Sequence, residues 1–150
     1  TMLYAPNVNS YKRYAGHLFA PTSIAWGQDN RSVALRTVGS GRSLRYENRL
    51  PGADVNPYLA IAATIAAGLH GVEQQVELPP AETGDAYSAG HAQVPHTLDQ
   101  ARREFLASDA AKTAFGEEMV AHYSRAAEIE LEEFQSAVTD WERKRGYERL

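Results

Sequence analysis

The sequence has no cysteine, which rules out a disulfide framework or a thiolate-held zinc and is compatible with a reducing cytoplasm. It also lacks a run long enough to span a bilayer. The most apolar stretch, Tyr58 to Leu69, falls short of the roughly 20 residues that a spanning helix needs. No charged-then-apolar leader opens the chain, and it contains no internal repeat or low-complexity segment. An excess of positive charge is missing too: the formal net charge is -4, which argues against a general nucleic-acid surface. What remains reads as a soluble, cytoplasmic chain with no membrane or nucleic-acid partner. At 150 residues and 43% hydrophobic it is long enough for one domain with a real core. Thr1-Met2-Leu3-Tyr4 starts abruptly, and the expectation is that these residues were cut from something longer.

Against that acidic background, one stretch stands out. Asn30 to Leu50 packs five arginines, Arg31, Arg36, Arg42, Arg45 and Arg49, around a single carboxylate, Glu47. In a strand, side chains alternate between faces, so Arg45, Glu47 and Arg49 share one side. Arg36 can join them from a partner strand across a turn at Val38–Gly41. Guanidinium groups crowded together repel one another unless an anion sits among them. Their planar forks suit phosphate and carboxylate oxygens, and a carboxylate among them suits a hard Mg²⁺ or Mn²⁺ ion bridging phosphates. The spacing therefore points to a polyphosphate-plus-metal site. The alternative is a cross-strand ladder of salt bridges on a solvated face, worth little energy.

The rest of the chain divides into recognisable pieces. Residues 1–29 carry many turn formers and aromatics without helical periodicity, which predicts loops and short extended segments. Residues 31–37 and 43–49 read as two strands joined by the glycine-containing turn. Gly39-Ser40-Gly41 completes neither a dinucleotide-binding nor a Walker pattern and is a weak phosphate-loop signal. Asn56-Pro57 starts a helix that Gly68 to Gly71 closes, with Asn56 as cap. Its body is apolar around most of its circumference, which predicts burial on several sides. Residues 72–96 form a connection in which His91 and His96 read as structural or exposed rather than metal ligands. From Thr97 the chain turns helical, with Ser108 able to cap a second helix. A stripe from Phe115 through Tyr123, Ala127 and Leu131 to Trp141 keeps one face towards a core, and the acidic run Glu128 to Glu133 reads as a solvated face. The fold class expected is α+β: an antiparallel strand segment bearing the arginines, one buried helix behind it (51–71), and a helical half over 97–150.

Taken together, Asn9-Ser10-Tyr11-Lys12-Arg13, the AWGxDNRS run over 25–32, the spaced Arg36, the RxExR of 45–49 and the PGADxNPYLA stretch that opens 51–71 resemble the C-terminal part of the catalytic domain of the glutamine synthetase family. The likeness runs to TDWER at 139–143. It implies an ATP-dependent ligase that phosphorylates the γ-carboxylate of glutamate and lets an amine displace phosphate, within a ring-shaped homo-oligomer. Carried over position by position, it implies that Arg13 and Arg49 bind glutamate and that Arg31 acts on the phosphoryl group in transfer. It further implies that Arg36 and Arg45 contact nucleotide phosphates, with Arg42 as a third ATP-site residue, and that Glu47 is a ligand of one divalent ion, Mg²⁺ or Mn²⁺.

One departure bears on the amine. Ammonia-using members carry a flap of the kind PGxEAP, whose glutamate helps deprotonate ammonium. Here Gly16-His17-Leu18-Phe19-Ala20-Pro21 stands in its place, with Phe19 at the glutamate's position. A phenyl ring cannot take a proton, but it can line a channel for an organic amine or stack on a cation. The chain is thus more similar to γ-glutamylpolyamine synthetase and related glutamate–amine ligases than to the ammonia-using enzymes. Because the likeness starts well inside the catalytic domain, the residues expected to supply the other metal ligands lie outside the sequence. The 150 residues alone are expected to be inert.

Overall fold

The computed structural model describes residues 1–14 and 18–149. It is an α+β arrangement of a small three-stranded sheet and five helices. The strands are β1 (Trp26–Gln28), β2 (Leu35–Val38) and β3 (Arg45–Asn48), in that order across the sheet. β2 and β3 form the expected antiparallel pair, with Arg36 opposite Glu47 and Val38 opposite Arg45. β3 is shorter at both ends than the expected 43–49, while β2 begins later than the expected 31–37 and ends one residue beyond it. The connection between them takes positive φ at Gly39 (85°) and Gly41 (52°), values that glycine adopts without steric cost. At Gly39 a side chain would also strike the Ser43 carbonyl.

β1 lies in the stretch expected to hold short extended segments, but its pairing is an addition to the expected layout: it runs parallel to β2, with Trp26 opposite Leu35. Three residues centred on a glycine carry no readable alternation, so tertiary pairing rather than local pattern makes this strand. Val8–Tyr14, in the stretch expected to be loop, winds into a 3-10 turn that buries Ser10, Tyr11 and Tyr14. Its first N–H, on Val8, is capped from far away in sequence by Glu130 (2.8 Å).

Helix α1 (Pro57–Glu73) begins where the sequence predicts. The Asn56 side chain accepts from the N–H groups of Tyr58 (3.0 Å) and Leu59 (3.4 Å), and Pro57 occupies the first turn, where no donor is needed. The expected burial of this helix is corrected by the structure. Among its residues only Ala60 is buried, while Ile61, Ile65, Leu69 and Val72 are more than half exposed. The physical reason is a shortage of neighbours: α3 and the side chains of Tyr4 and Asn48, both bonded to Thr64, approach one side, and the other faces away from the described residues.

The helical half comprises α2 (Leu98–Ala107), α3 (Asp109–Phe115), α4 (Glu117–Ser136) and α5 (Asp140–Arg149). Thr97 caps α2 through the Gln100 N–H, and Ser108 caps α3 through the Ala111 N–H, both at 3.1 Å. Gly116, at φ 84°, separates α3 from α4, so the predicted stripe is broken into three helices. Its middle portion packs inward. Tyr123, Ala127 and Leu131 meet Leu98, Ala101 and Phe105 of α2 and the N-terminal residues Met2, Ala5, Tyr11 and Tyr14 in one core, whereas Trp141 is 70% exposed. In the acidic run, Glu128 pairs with Arg125 and Arg102 and Glu130 caps Val8, so part of that face is structural.

Candidate active site

The antiparallel register places Arg36 directly across from Glu47, and the two-residue period puts Arg49 on the same face. The side chains meet accordingly. Arg36 Nη1 donates to Glu47 Oε2 at 3.1 Å, and Arg49 Nε lies 3.6 Å from Glu47 Oε1. A second carboxylate joins this row. Arg36 Nη2 binds Asp29, a residue at the end of β1 in the left-handed region (φ 48°). Glu47 is therefore not the only acid among the arginines, and the unread signal was Asp29 standing two residues ahead of Arg31. Held first by Asp29 and then by Glu47, the Arg36 guanidinium has its pKa raised above its ordinary value, so it is a permanent cation. Its Nε is buried without a hydrogen-bond partner.

Arg49 also reaches backwards. Its Nη2 donates to the carbonyl of Phe19 (3.1 Å), which ties the segment around Phe19 to the arginine row. Phe19 itself is 89% exposed. On the far side of the same segment, the Tyr87 hydroxyl donates to the Ala20 carbonyl (3.3 Å). Of the expected flap, Gly16 and His17 lie outside the described residues. Arg13, expected to touch substrate, spends both terminal nitrogens on backbone, donating to the carbonyls of Leu50 (2.6 Å) and Arg49 (2.8 Å). It thus fixes the end of β3 and lies beside Arg49.

The remaining arginines are exposed and less committed. Arg45 donates to the Ser43 carbonyl at 3.1 Å. Among the described residues, no hydrogen bond or ion pair engages the side chains of Arg31 or Arg42; Arg31 stands on the loop between β1 and β2, and Arg42 on the turn before β3. The structure thus links Arg13, Arg36, Arg49, Glu47 and the Phe19 backbone into one connected group, while Arg31, Arg42 and Arg45 make no hydrogen bond or ion pair with it among the described residues.

The donor set fits a polyanion better than a complete metal site. Exposed guanidinium forks and the buried, unpartnered Nε of Arg36 suit phosphate oxygens. Divalent ions such as Mg²⁺ need about six oxygen ligands, and no group of three or more potential ligand side chains occurs among the described residues. Glu47 would supply one ligand and further residues the others. His91, in line with its expected structural role, pairs with Glu82 at 2.8 Å.

Comparison with known proteins gives a consistent answer. The family profile described as "Glutamine synthetase, catalytic domain" matches residues 1–146. The gamma-glutamylethanolamide synthetase of Streptomyces coelicolor is 59% identical over 150 residues, covering 100% of this chain and 32% of the relative. The glutamate–isopropylamine ligase of a Pseudomonas species is 40% identical over 144 residues, covering 93% of this chain and 31% of the relative. A solved structure of ligand-free GmaS superposes with a TM-score of 0.82 at 31% identity, over 98% of this chain and 34% of that one. The chain spans about a third of the length of the relatives it matches.

Proposed function

Because this chain belongs to the glutamine synthetase family, whose catalytic domain it matches over residues 1–146, we propose that it is the C-terminal part of an ATP-dependent glutamate–amine ligase. Such an enzyme forms a γ-glutamyl amide through γ-glutamyl phosphate. The observation that carries this reading is the row in which Arg36 and Arg49 converge on Glu47 while Arg49 also holds the Phe19 carbonyl. In that row the cations that would bind phosphate and carboxylate are tied, through Arg49, to the segment that would meet the amine.

ATP supplies the γ-phosphoryl group when bound, and a divalent ion, Mg²⁺ or Mn²⁺, neutralises phosphate charge. The chain's own residues divide the remaining work. Arg49, steadied by Arg13 through its backbone, would bind the α-carboxylate of glutamate. Arg36, Arg45 and Arg42 would hold nucleotide phosphates, and Glu47 would give one metal ligand. Arg31, exposed and unpaired among the described residues, would meet the phosphoryl group in transfer, where a preorganised cation stabilises developing charge.

The acceptor amine is organic in this reading. Phe19 carries no group able to take a proton from ammonium, and its exposed ring suits a carbon chain or an alkylammonium. Two relatives, one named for a γ-glutamylethanolamide product and one for isopropylamine, support the same choice. The whole protein would work in the cytoplasm as a ring-shaped homo-oligomer, and the 150 residues alone would not turn over, because the row offers too few metal ligands.

The test is glutamate-dependent ADP release by the full-length protein with ammonium, ethanolamine, isopropylamine, putrescine and spermidine. Faster turnover with one organic amine is expected and names the substrate. Preference for ammonium would make the protein a glutamine synthetase proper, and no glutamate-dependent ADP release with any amine would leave a non-catalytic relative.

A further inference from the structure

We infer that Glu82 and His91 act as positioning residues for Arg31, a deepening of the ligase reading above, on which it rests. Arg31 stands on the six-residue loop 29–34 between two parallel, adjacent strands. Parallel neighbours are ordinarily joined by a dozen residues or more, because the chain must travel back along the strand before pairing again. This loop does so in half that length, and its shape is imposed from outside.

The imposition is made on both sides of Arg31. The Asn30 amide donates to two carbonyls of the distant connection, Glu82 (3.1 Å) and Gly84 (2.8 Å). Its oxygen accepts from the Ser32 N–H (2.9 Å) and hydroxyl (2.7 Å), and the Ser32 oxygen in turn accepts from the Ala86 N–H (3.0 Å). Both neighbours of Arg31 are thus fastened to residues 82–86, whereas the arginine side chain is left exposed. A loop held at the flanking positions presents its central side chain in one place.

What shapes residues 82–86 is the Glu82 carboxylate. One oxygen accepts from the Gly84 N–H (2.6 Å), closing the turn that aims the two carbonyls at Asn30. The other meets His91 Nε2 at 2.8 Å. His91 is itself fixed by the pairing of Ile24 N–H with the Ala92 carbonyl (2.7 Å) and by Gln93, whose amide donates to the His91 carbonyl (2.9 Å). The Glu82 backbone is clamped as well, its N–H donating to the Trp26 carbonyl at 2.8 Å. The Gly84 N–H, and His91 after it, hold the Glu82 carboxyl below the usual carboxylate range, as expected of a group used in its charged form. The arrangement leaves no slack: a Cβ at Gly27 would lie 2.5 Å from the Glu82 carbonyl oxygen and 3.1 Å from the Asn30 Cβ.

The experiment is steady-state ADP release by the full-length protein with its best amine, for Glu82→Ala, His91→Leu and His91→Gln. Displacing a reacting group by an ångström costs up to about a hundredfold, so Glu82→Ala and His91→Leu are expected to lower kcat by about tenfold or more. KM for glutamate and ATP should stay within about twofold, because the groups assigned to bind them lie elsewhere. His91→Gln, whose amide can donate to the same carboxylate oxygen, should restore most of kcat. A purely structural role would lower the melting temperature of His91→Leu and leave the kcat of the folded enzyme alone, and that result overturns the inference. So does a loss carried by KM. If Glu82→Ala does not fold, Asn30→Asp keeps the acceptor for Ser32 and removes both donations to residues 82 and 84; wild-type kcat from that variant is equally fatal. Wild-type enzyme inactive with every amine removes the ligase reading and this inference with it, whereas active wild type with indifferent variants removes this inference alone.

Discussion

Adding one methyl group at Gly27 should strain the tie between β1 and the 82–86 connection. Gly27 is buried, and the Cβ of Gly27→Ala would sit 2.5 Å from the Glu82 carbonyl, where ordinary contact begins at 3.4 Å. That carbonyl must therefore retreat by about 0.9 Å, the difference between those two distances. It is also the acceptor of the 3.1 Å Asn30 bond, which such a movement breaks or bends. Overpacking of this kind costs about 1–3 kcal/mol, and a lost part-buried hydrogen bond about 1 kcal/mol net. The sum, about 2–4 kcal/mol, lowers the urea midpoint of the 150-residue chain by about 1–2 M at an m-value of about 2 kcal/mol/M. Gly146→Ala in α5 serves as the control, because nothing lies within 4 Å of its Cβ. It should raise stability by up to about 1 kcal/mol through helix propensity. Urea unfolding followed by far-UV circular dichroism reads both. A Gly27→Ala midpoint equal to wild type would refute the reasoning, for it would mean that the Glu82 backbone yields without cost.

Other expectations follow from the same contacts. Arg31→Ala in the full-length protein should abolish glutamate-dependent ADP release with an unchanged circular dichroism spectrum; undiminished turnover removes Arg31 from the mechanism. Phe19→Glu should shift the amine preference towards ammonium, read as the ratio of kcat/KM for ammonium to that for the best organic amine; an unchanged ratio makes Phe19 a packing residue. Asp54, whose carboxyl is held below its ordinary pKa chiefly by the Ser10 hydroxyl at 2.5 Å, contributes stability that is present above the unfolded carboxylate pKa and lost as pH falls through the folded one. Asp54→Asn should therefore flatten the acid limb of stability against pH, and identical acid limbs in the two proteins would show that the Ser10 contact carries no linkage.

Local chemistry made much of this chain readable. The Asn56-Pro57 start of α1, the Thr97 and Ser108 caps and the glycine-rich turn before β3 are each specified by residues within a few positions, so the elements appear where those residues stand. The Arg36–Glu47 contact was legible for the same reason, since strand alternation and a short turn fix register. Contacts made over long sequence distances were not. Glu130 capping Val8, Asn30 bound to residues 82 and 84, and the parallel pairing of β1 depend on how remote segments pack, and no periodicity announces them. Asp29 was missed because it lies just outside the arginine stretch, although the fold returns it to Arg36. For α1 the composition gave the demand for burial, which the described residues meet on one side only.

That half-covered helix has a thermodynamic consequence for the 150 residues as a solute. Ile61, Ile65, Leu69 and Val72 recur at helical spacing and form a ridge of apolar surface open to water. Any encounter that hides this ridge is linked to folding by mass action, because the unfolded chain does not present it as a single face. Were copies to meet through this ridge, the denaturation midpoint would rise with protein concentration. In that case the Gly27→Ala comparison is made at matched protein concentration.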